Sequence, residues 1–397
     1  MDPDSEESIG NSVRRVLDLI DASSDLQGKK KAMIKPNICC DKDWTTGATT
    51  CPWVVRAVVQ WLNENGIHDI TLADGTIVGQ DTLENMERIG FMRLAEEFGL
   101  ELVDLNKDKR VHLEVDSPRV FERIKVARTP LETDYLINIP VMKTHICTSV
   151  TLSMKNLKGL LDKKWKRQFH FMGLDGALAD LASVVRPDLN IIDGTVGMEG
   201  RGPINGTAKE AGVLLASRDH FAADIAGSRA MGLDPLEIGH LTMFAERIGV
   251  GVESYWPHLI GDADFKLAFK KPVSARDQCF SGVELDWGDP CSGCANALGA
   301  ALDHLERDGD LEEVQRRGGV LIALGKKADP DAKENLFLMG RCQHRNRKKG
   351  IYIPGCPPQS FVIRGLFYEM IDKETVYRRE DVLKEAEEAY GDELEGD

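Results

Sequence analysis

A chain of 397 residues that is 42% hydrophobic can bury substantial cores and has the length for two or three domains, which excludes a disordered polymer. Its 65 acidic against 50 basic residues leave a formal charge of -15, and long-range repulsion then argues against nonspecific binding to nucleic acid or to anionic membranes. No stretch approaches the roughly 18 consecutive apolar residues of a membrane span, and "MDPDSEESIG" lacks the basic and apolar regions of a signal peptide, so a cytoplasmic protein is expected.

In chain order, "KAMIKPN" reads as a strand, "PWVVRAVVQWLNENG" as a helix with Pro52 near its first turn and Gly66 at its end, and "HDITLADG" as the next strand. That is a βαβ unit, which predicts a parallel sheet with helices on its faces. The pattern recurs through "DYLINIP", "DLNIIDG" and "GVLLAS", with "DHFAADIAGSRAMG" a helix after the last. After about residue 270 the character changes: a Gly-Asp-Pro turn leads into the helical "CSGCANALGAALDHLE", followed by the short strands "GGVLIALG", "NLFLMG" and "GIYIPG". The expected fold class is α/β, a large and mainly parallel α/β body over 1–270 with anion-binding loops. A smaller C-terminal α/β domain follows over 271–370, then an acidic tail over 371–397.

Nine cysteines in a large chain do not read as a disulfide framework. Cys291 and Cys294 form a C-x2-C at a helix start, while Cys342 and Cys356 each follow a strand. Helix N-termini and the carboxyl ends of parallel strands meet on one edge of an α/β sheet, so the four thiols are expected to converge there. A helix N-terminus also favours thiolates. A [4Fe-4S] cluster fits these residues, since a ligand cysteine followed by proline recurs in cluster proteins. Structural zinc is the alternative, and unligated buried thiols a third reading. Cys39, Cys40, Cys51, Cys147 and Cys279 show no recognised spacing and read as buried or incidental thiols, with Cys147 in "KTHICTS" worth watching.

The stretch after "DYLINIP" is basic in an acidic chain. Lys143, His145, Lys155 and Lys158, taken to lie in one loop and a helix start, are mixed with Thr148, Ser153 and Asn156 and suit a carboxylate or phosphate. Lys163, Lys164, Lys166 and Arg167 read equally well as a solvated helix face. "IKPN" puts Lys35 and Asn37 at the end of the first strand. Thr49 and Thr50 precede the helix at Pro52, where they serve an anion or where Thr50 serves as helix cap. "LADGT" reads as a turn at Asp74, and "IIDGTVGMEGRGP" with Glu199 as a loop around a ligand. Neither a G-x-G-x-x-G after the first strand nor a Walker A loop is present, so nothing supports a standard dinucleotide fold or an NTPase.

Taken together, "KPN", "TTGATTCPWVVRAVV", "LADG", "INIPVMKTH", "SMKNLKG" and "IIDGTVGMEGRGP" resemble the family known as domain of unknown function 362, over roughly residues 30 to 250. The resemblance implies a bacterial or archaeal protein, often of anaerobic metabolism, accompanied by cysteine motifs for iron-sulfur clusters. This chain departs from it in lacking the C-x2-C-x2-C-x3-C-P run. "PGCPP" is similar, over a few residues, to a cluster cysteine of hydrogenase small subunits and of the complex I subunit next to quinone. The layout of the first domain is similar to nickel-dependent lactate racemase in pattern only.

The expectation is therefore an enzyme, an iron-sulfur-dependent oxidoreductase acting on a small anionic substrate or cofactor. Lys143 and Lys155 would hold the anion, and His145 would serve as acid or base because a histidine pKa lies near neutrality. Lys35, Asn37, Thr49, Thr50, Asn156, Lys158 and Glu199 would line the site. A ferredoxin-type electron partner goes with this reading; a dimer is compatible with it. The alternatives are a non-redox isomerase or lyase with a structural or Lewis-acid cluster, and an electron-transfer or cluster-handling accessory protein.

Overall fold

The computed structural model describes residues 1–262, 266–272, 278–375, 378 and 380, and of Ser292 the backbone alone. The expected acidic tail therefore lies, from residue 381 onward, outside the described residues. The chain divides into two compact units, Met1–Pro272 and Val273–Asp397.

Unit 1 is built on strands β1 (Lys31–Lys35), β2 (Asp69–Asp74), β3 (Glu101–Asp104), β6 (Tyr135–Asn138), β7 (Val141–His145), β8 (Ser149–Thr151), β9 (Leu189–Glu199) and β10 (Thr207–Ser217), while β4 (Arg110–Glu114) and β5 (Arg123–Ala127) form a separate antiparallel ribbon. Strands β3, β2, β1, β6 and β9 pair in parallel in that order. Past Pro140, β7 continues along β9, again in parallel. The expected parallel sheet is present, with one correction: "GVLLAS" belongs to β10, which folds back antiparallel on β9. The connection between them is too short for a crossover helix, which a parallel neighbour would need.

The pleat sorts the core. Met33 packs with the helices Leu174–Val184, His220–Ala230 and Gly239–Arg247, whereas its neighbours Ala32 and Ile34 face the helices Glu6–Leu19 and Pro52–Glu64 on the other side. Both faces of the sheet are thus covered, which explains why β1 and β6 read as unbroken apolar runs. The polar residues that matter come where those runs stop.

Unit 2 carries four parallel strands in sequence order, β11 (Val283–Trp287), β12 (Val320–Leu324), β13 (Leu336–Met339) and β14 (Ile351–Ile353). Ile322, Leu324, Phe337, Met339 and Ile353 pack on the helices Ser292–Arg307 and Ser360–Met370, while Ala323, Leu336, Leu338 and Tyr352 form a smaller cluster opposite.

Candidate functional site

In unit 1 the carboxyl ends of β1, β2 and β6, with the length of β7, deliver a buried polar network. Lys143 sits on β7, fully buried, with its Nζ 2.8 Å from Asn37 Oδ1, 2.6 Å from Ala48 O and 3.4 Å from Cys39 Sγ. A charged lysine amine has three protons, and here it has three acceptors. The contact to Asn37 Oδ1 fixes the amide orientations beyond it. Asn37 Nδ2 donates to Asn156 Oδ1 (2.7 Å), Asn156 Nδ2 donates to Asn138 Oδ1 (2.8 Å), and Asn138 Nδ2 donates to Asn190 Oδ1 (3.0 Å). One lysine thereby orients a relay of four asparagines across β1, β6, β9 and the short helix Ser153–Asn156. That helix is held in turn by Asp224, whose carboxylate accepts from the backbone amides of Ser153 (2.6 Å) and Met154 (2.9 Å).

Three more amines surround this relay, two of them, on Lys35 and Lys166, buried and the third, on Lys158, partly so. Lys35 Nζ stands 2.8 Å from Asp74 Oδ1 as an ion pair, and Asp74 Oδ2 accepts from the amide of Ile38 at 2.6 Å. The space above the pair is filled by Gly159, where a Cβ would lie 2.1 Å from Asp74 Oδ1. Lys166 Nζ donates to Gly75 O (2.8 Å), Thr76 O (2.9 Å) and Asn106 Oδ1 (2.8 Å), so it is a buried strut and not part of a solvated helix face. Lys158 Nζ lies 2.5 Å from His170 Nε2, and burial, reinforced by neighbouring lysines, pushes both well below their ordinary pKa values.

Lys155 differs from these. It is 9% exposed, and its amine, which is not fully enclosed, has neither hydrogen bond nor ion pair among the described residues. Burial, with the charge of Lys143, lowers its pKa to about 8. His145, at the end of β7, accepts from the backbone amide of Cys147 through Nδ1 at 3.0 Å, which places the proton of the neutral ring on Nε2. Burial and the charges of Lys155, His170, Lys158 and Lys143 push its pKa well below 6.5. These surroundings disfavour the charged ring, which weighs against the expectation of an acid-base histidine titrating near neutrality.

Other expectations need correction too. Lys143 and His145 belong to a strand, not to a loop, because a run as polar as "VMKTH" gives no apolar alternation to read. Thr50 is not the cap of the helix at Pro52: Cys51 takes that position, while Thr50 Oγ1 accepts from the Asn37 amide (2.7 Å) and donates to Ile139 O (2.8 Å). Thr49 Oγ1 donates to Lys42 O (2.9 Å), and the first free amide of that helix, on Cys51, is taken by Asp193 Oδ2 (2.8 Å). The two threonine hydroxyls and the cap-residue amide are thus engaged within the protein. Glu199 ends β9 and pairs with Lys209 (3.3 Å) and Lys270 (3.4 Å), so it braces the hairpin.

Cys39, expected to be a buried or incidental thiol, lies against this network. Its thiol is half-buried, 3.7 Å from Cys40 Sγ and in contact with Lys143. The only sequence signal was its place two residues after Asn37.

In unit 2, Cys291 caps the helix Ser292–Arg307 after β11, Cys342 follows β13, and Cys356 follows β14. The Cys294 thiol is pushed upward by its hydrogen bond to Cys291, by burial, and by the nearby charges of Cys356 and Cys342. Gly340 has φ of +86°, and a Cβ on it would lie 3.0 Å from Cys294 Sγ. Among the described residues, no three His, Cys, Asp or Glu side chains stand in position to grip a single metal ion. Cys291, Cys342 and Cys356 follow β11, β13 and β14, so with Cys294 on the helix after β11 the four thiols gather toward one sheet edge.

Fold and site together define a protein with a doubly covered α/β body, a polar network of lysines and asparagines where its strands end, and a separate four-thiol sheet edge. The chain belongs to the family described as domain of unknown function (DUF362), whose model matches residues 33–229. It is 31% identical over 227 residues to a thylakoid-associated protein of Synechocystis sp., a match covering 55% of this chain and 68% of that one. Among solved structures it is similar to a protein from Thermotoga maritima (TM-score 0.43, 11% identity, covering 97% of this chain and 96% of that one). It is also similar to the lactate racemase apoprotein of Thermoanaerobacterium thermosaccharolyticum (TM-score 0.41, 11% identity, covering 96% and 88%). Unit 2, with its four cysteines, lies beyond the residues the family model matches. No described helix is long and apolar enough to cross a membrane.

Proposed function

We propose that the chain is an iron-sulfur oxidoreductase whose unit 1 binds a small organic anion and whose unit 2 holds a [4Fe-4S] cluster through Cys291, Cys294, Cys342 and Cys356. The observation that carries the reading is the presence in one acidic chain of two unusual groupings, a nearly anion-free set of buried amines and four thiols on one sheet edge. A buried lysine without a counter-ion is costly, and an anionic ligand offsets that cost. When bound, the cluster supplies one-electron transfer.

The residues of unit 1 divide the remaining work. Lys155 and Lys143 attract and orient the carboxylate or phosphate, the asparagine relay holds Lys143 in one position, and the Nε2–H of His145 donates to a substrate oxygen that gains charge. A small acid partner for the cluster, of ferredoxin type, fits this chemistry.

Anoxic purification followed by iron, sulfide and zinc analysis tests the reading. About four iron and four sulfide per chain are expected, falling sharply in Cys356→Ala. Stoichiometric zinc without sulfide would overturn the cluster, and full cluster content in Cys356→Ala would overturn the ligand set.

A further inference from the structure

We infer that Cys39 is a nucleophile of the unit 1 network, a thiolate paired with Lys143 that attacks an electrophilic carbon on a substrate whose carboxylate is held by Lys155. This rests on the anion-binding reading of unit 1 and adds a covalent step to it.

Three features of the network place Cys39 in that role. Its sulfur lies 3.4 Å from Lys143 Nζ, whose other two protons go to Asn37 Oδ1 and Ala48 O, so the third points to sulfur. Cys40 Sγ lies 3.7 Å away and is well buried, so its thiol proton can be shared with Cys39. Sγ of Cys39 also lies 3.3 Å from Ala48 O, the carbonyl that accepts from Lys143 at 2.6 Å, so sulfur, amine and carbonyl meet at one point. The hydrogen bond from Cys40, then the charge of Lys143, lower the Cys39 pKa to about 6 against the opposing effects of burial and Asp74.

The ligand side is marked independently by Lys155. This side chain is nine-tenths buried, has no partner among the described residues, and is in electrostatic reach of both Cys39 and Cys147. Cys39 is itself only half-buried. In the step, the sulfur electron pair forms a C–S bond while the leaving group departs with the electron pair of the bond that breaks. No oxidant is consumed, and the thiol proton has already passed to solvent.

Alkylation of the full-length, anoxically purified protein by iodoacetate and by iodoacetamide tests this, with rates read at each cysteine by peptide mass spectrometry at pH 7. Exposed Cys279 is the internal reference. The anionic reagent should be favoured at Cys39 by about tenfold relative to its preference at Cys279, as expected for a thiolate beside fixed cations. Lys155→Met, checked for an intact melting transition, should abolish that preference while Cys39 still reacts with iodoacetamide, and Lys143→Met should slow both reagents. A Cys39 that reacts no faster than Cys279 with either reagent would overturn the inference, as would equal anion preference at the two sites. Melting in the presence of acetate or phosphate separates the two claims. A rise in Tm with an inert Cys39 removes the nucleophile alone, and no rise with an inert Cys39 removes the anion site as well.

Discussion

At the residue scale the strongest constraint is Lys155, a largely buried amine with no partner among the described residues. Its folded pKa of about 8 lies below the usual lysine value, so between about pH 8 and 10.4 the unfolded chain binds the proton and the folded chain does not. Stability contributed by this site therefore rises with pH across that window and is lowest below it. Lys155→Met should unfold at higher urea than the parent at pH 7 by roughly 2–3 kcal/mol, with the advantage closing by about pH 10. The gain should come with loss of stabilisation by added carboxylates. The asparagine relay predicts the opposite kind of outcome. Asn156→Ala leaves Asn37 Nδ2 and Asn138 Oδ1 buried without partners, a cost of about 1–3 kcal/mol for each orphaned group, readable as a lower urea midpoint. Lys143, Lys155, Lys35, Asn37 and Asn156 were legible as polar residues placed just where apolar runs end. Cys39 and Lys166 were not, because nothing in a sequence tells a lysine that spends its protons on backbone carbonyls from one on a wet surface.

At the scale of elements, the short apolar runs of β1, β2, β6, β12, β13 and β14 were readable because each is bounded by Gly, Pro or a polar residue. β7 was read as a loop, although it is the strand that carries Lys143 and His145. Its side chains are satisfied by the polar network and not by an apolar core, so hydrophobic periodicity is silent there. The β9–β10 hairpin was hidden for another reason: pairing direction is set by the length of the connection, and the apolar pattern of a buried strand is the same either way. In unit 2 the element that matters is the turn after β13. Gly340→Ala would strain a left-handed backbone and drive a methyl toward Cys294 Sγ, so iron content should fall while the far-ultraviolet dichroism stays close to the parent.

For the whole molecule, each unit has its own core, and each is proposed to have its own ligand. Ligands that bind only the folded form stabilise it by mass action. Removing the cluster should therefore raise hydrogen exchange mainly within 278–375, while added acetate or phosphate should protect mainly β1, β7 and the helix Ser153–Asn156. Exchange changes distributed without regard to the two units would count against separate sites. The family and the α/β architecture were legible from the order of motifs in unit 1, whereas the four thiols of unit 2 were legible only as a spacing, because ligation is a property of the folded sheet edge.

The most direct test of the central claim is the electron paramagnetic resonance spectrum of the anoxically purified, dithionite-reduced full chain. The expected result is a reduced [4Fe-4S] signal in the parent that is absent from Cys294→Ala. A reduced protein with no cluster signal and stoichiometric zinc, or a cluster signal that Cys294→Ala leaves intact, would contradict it.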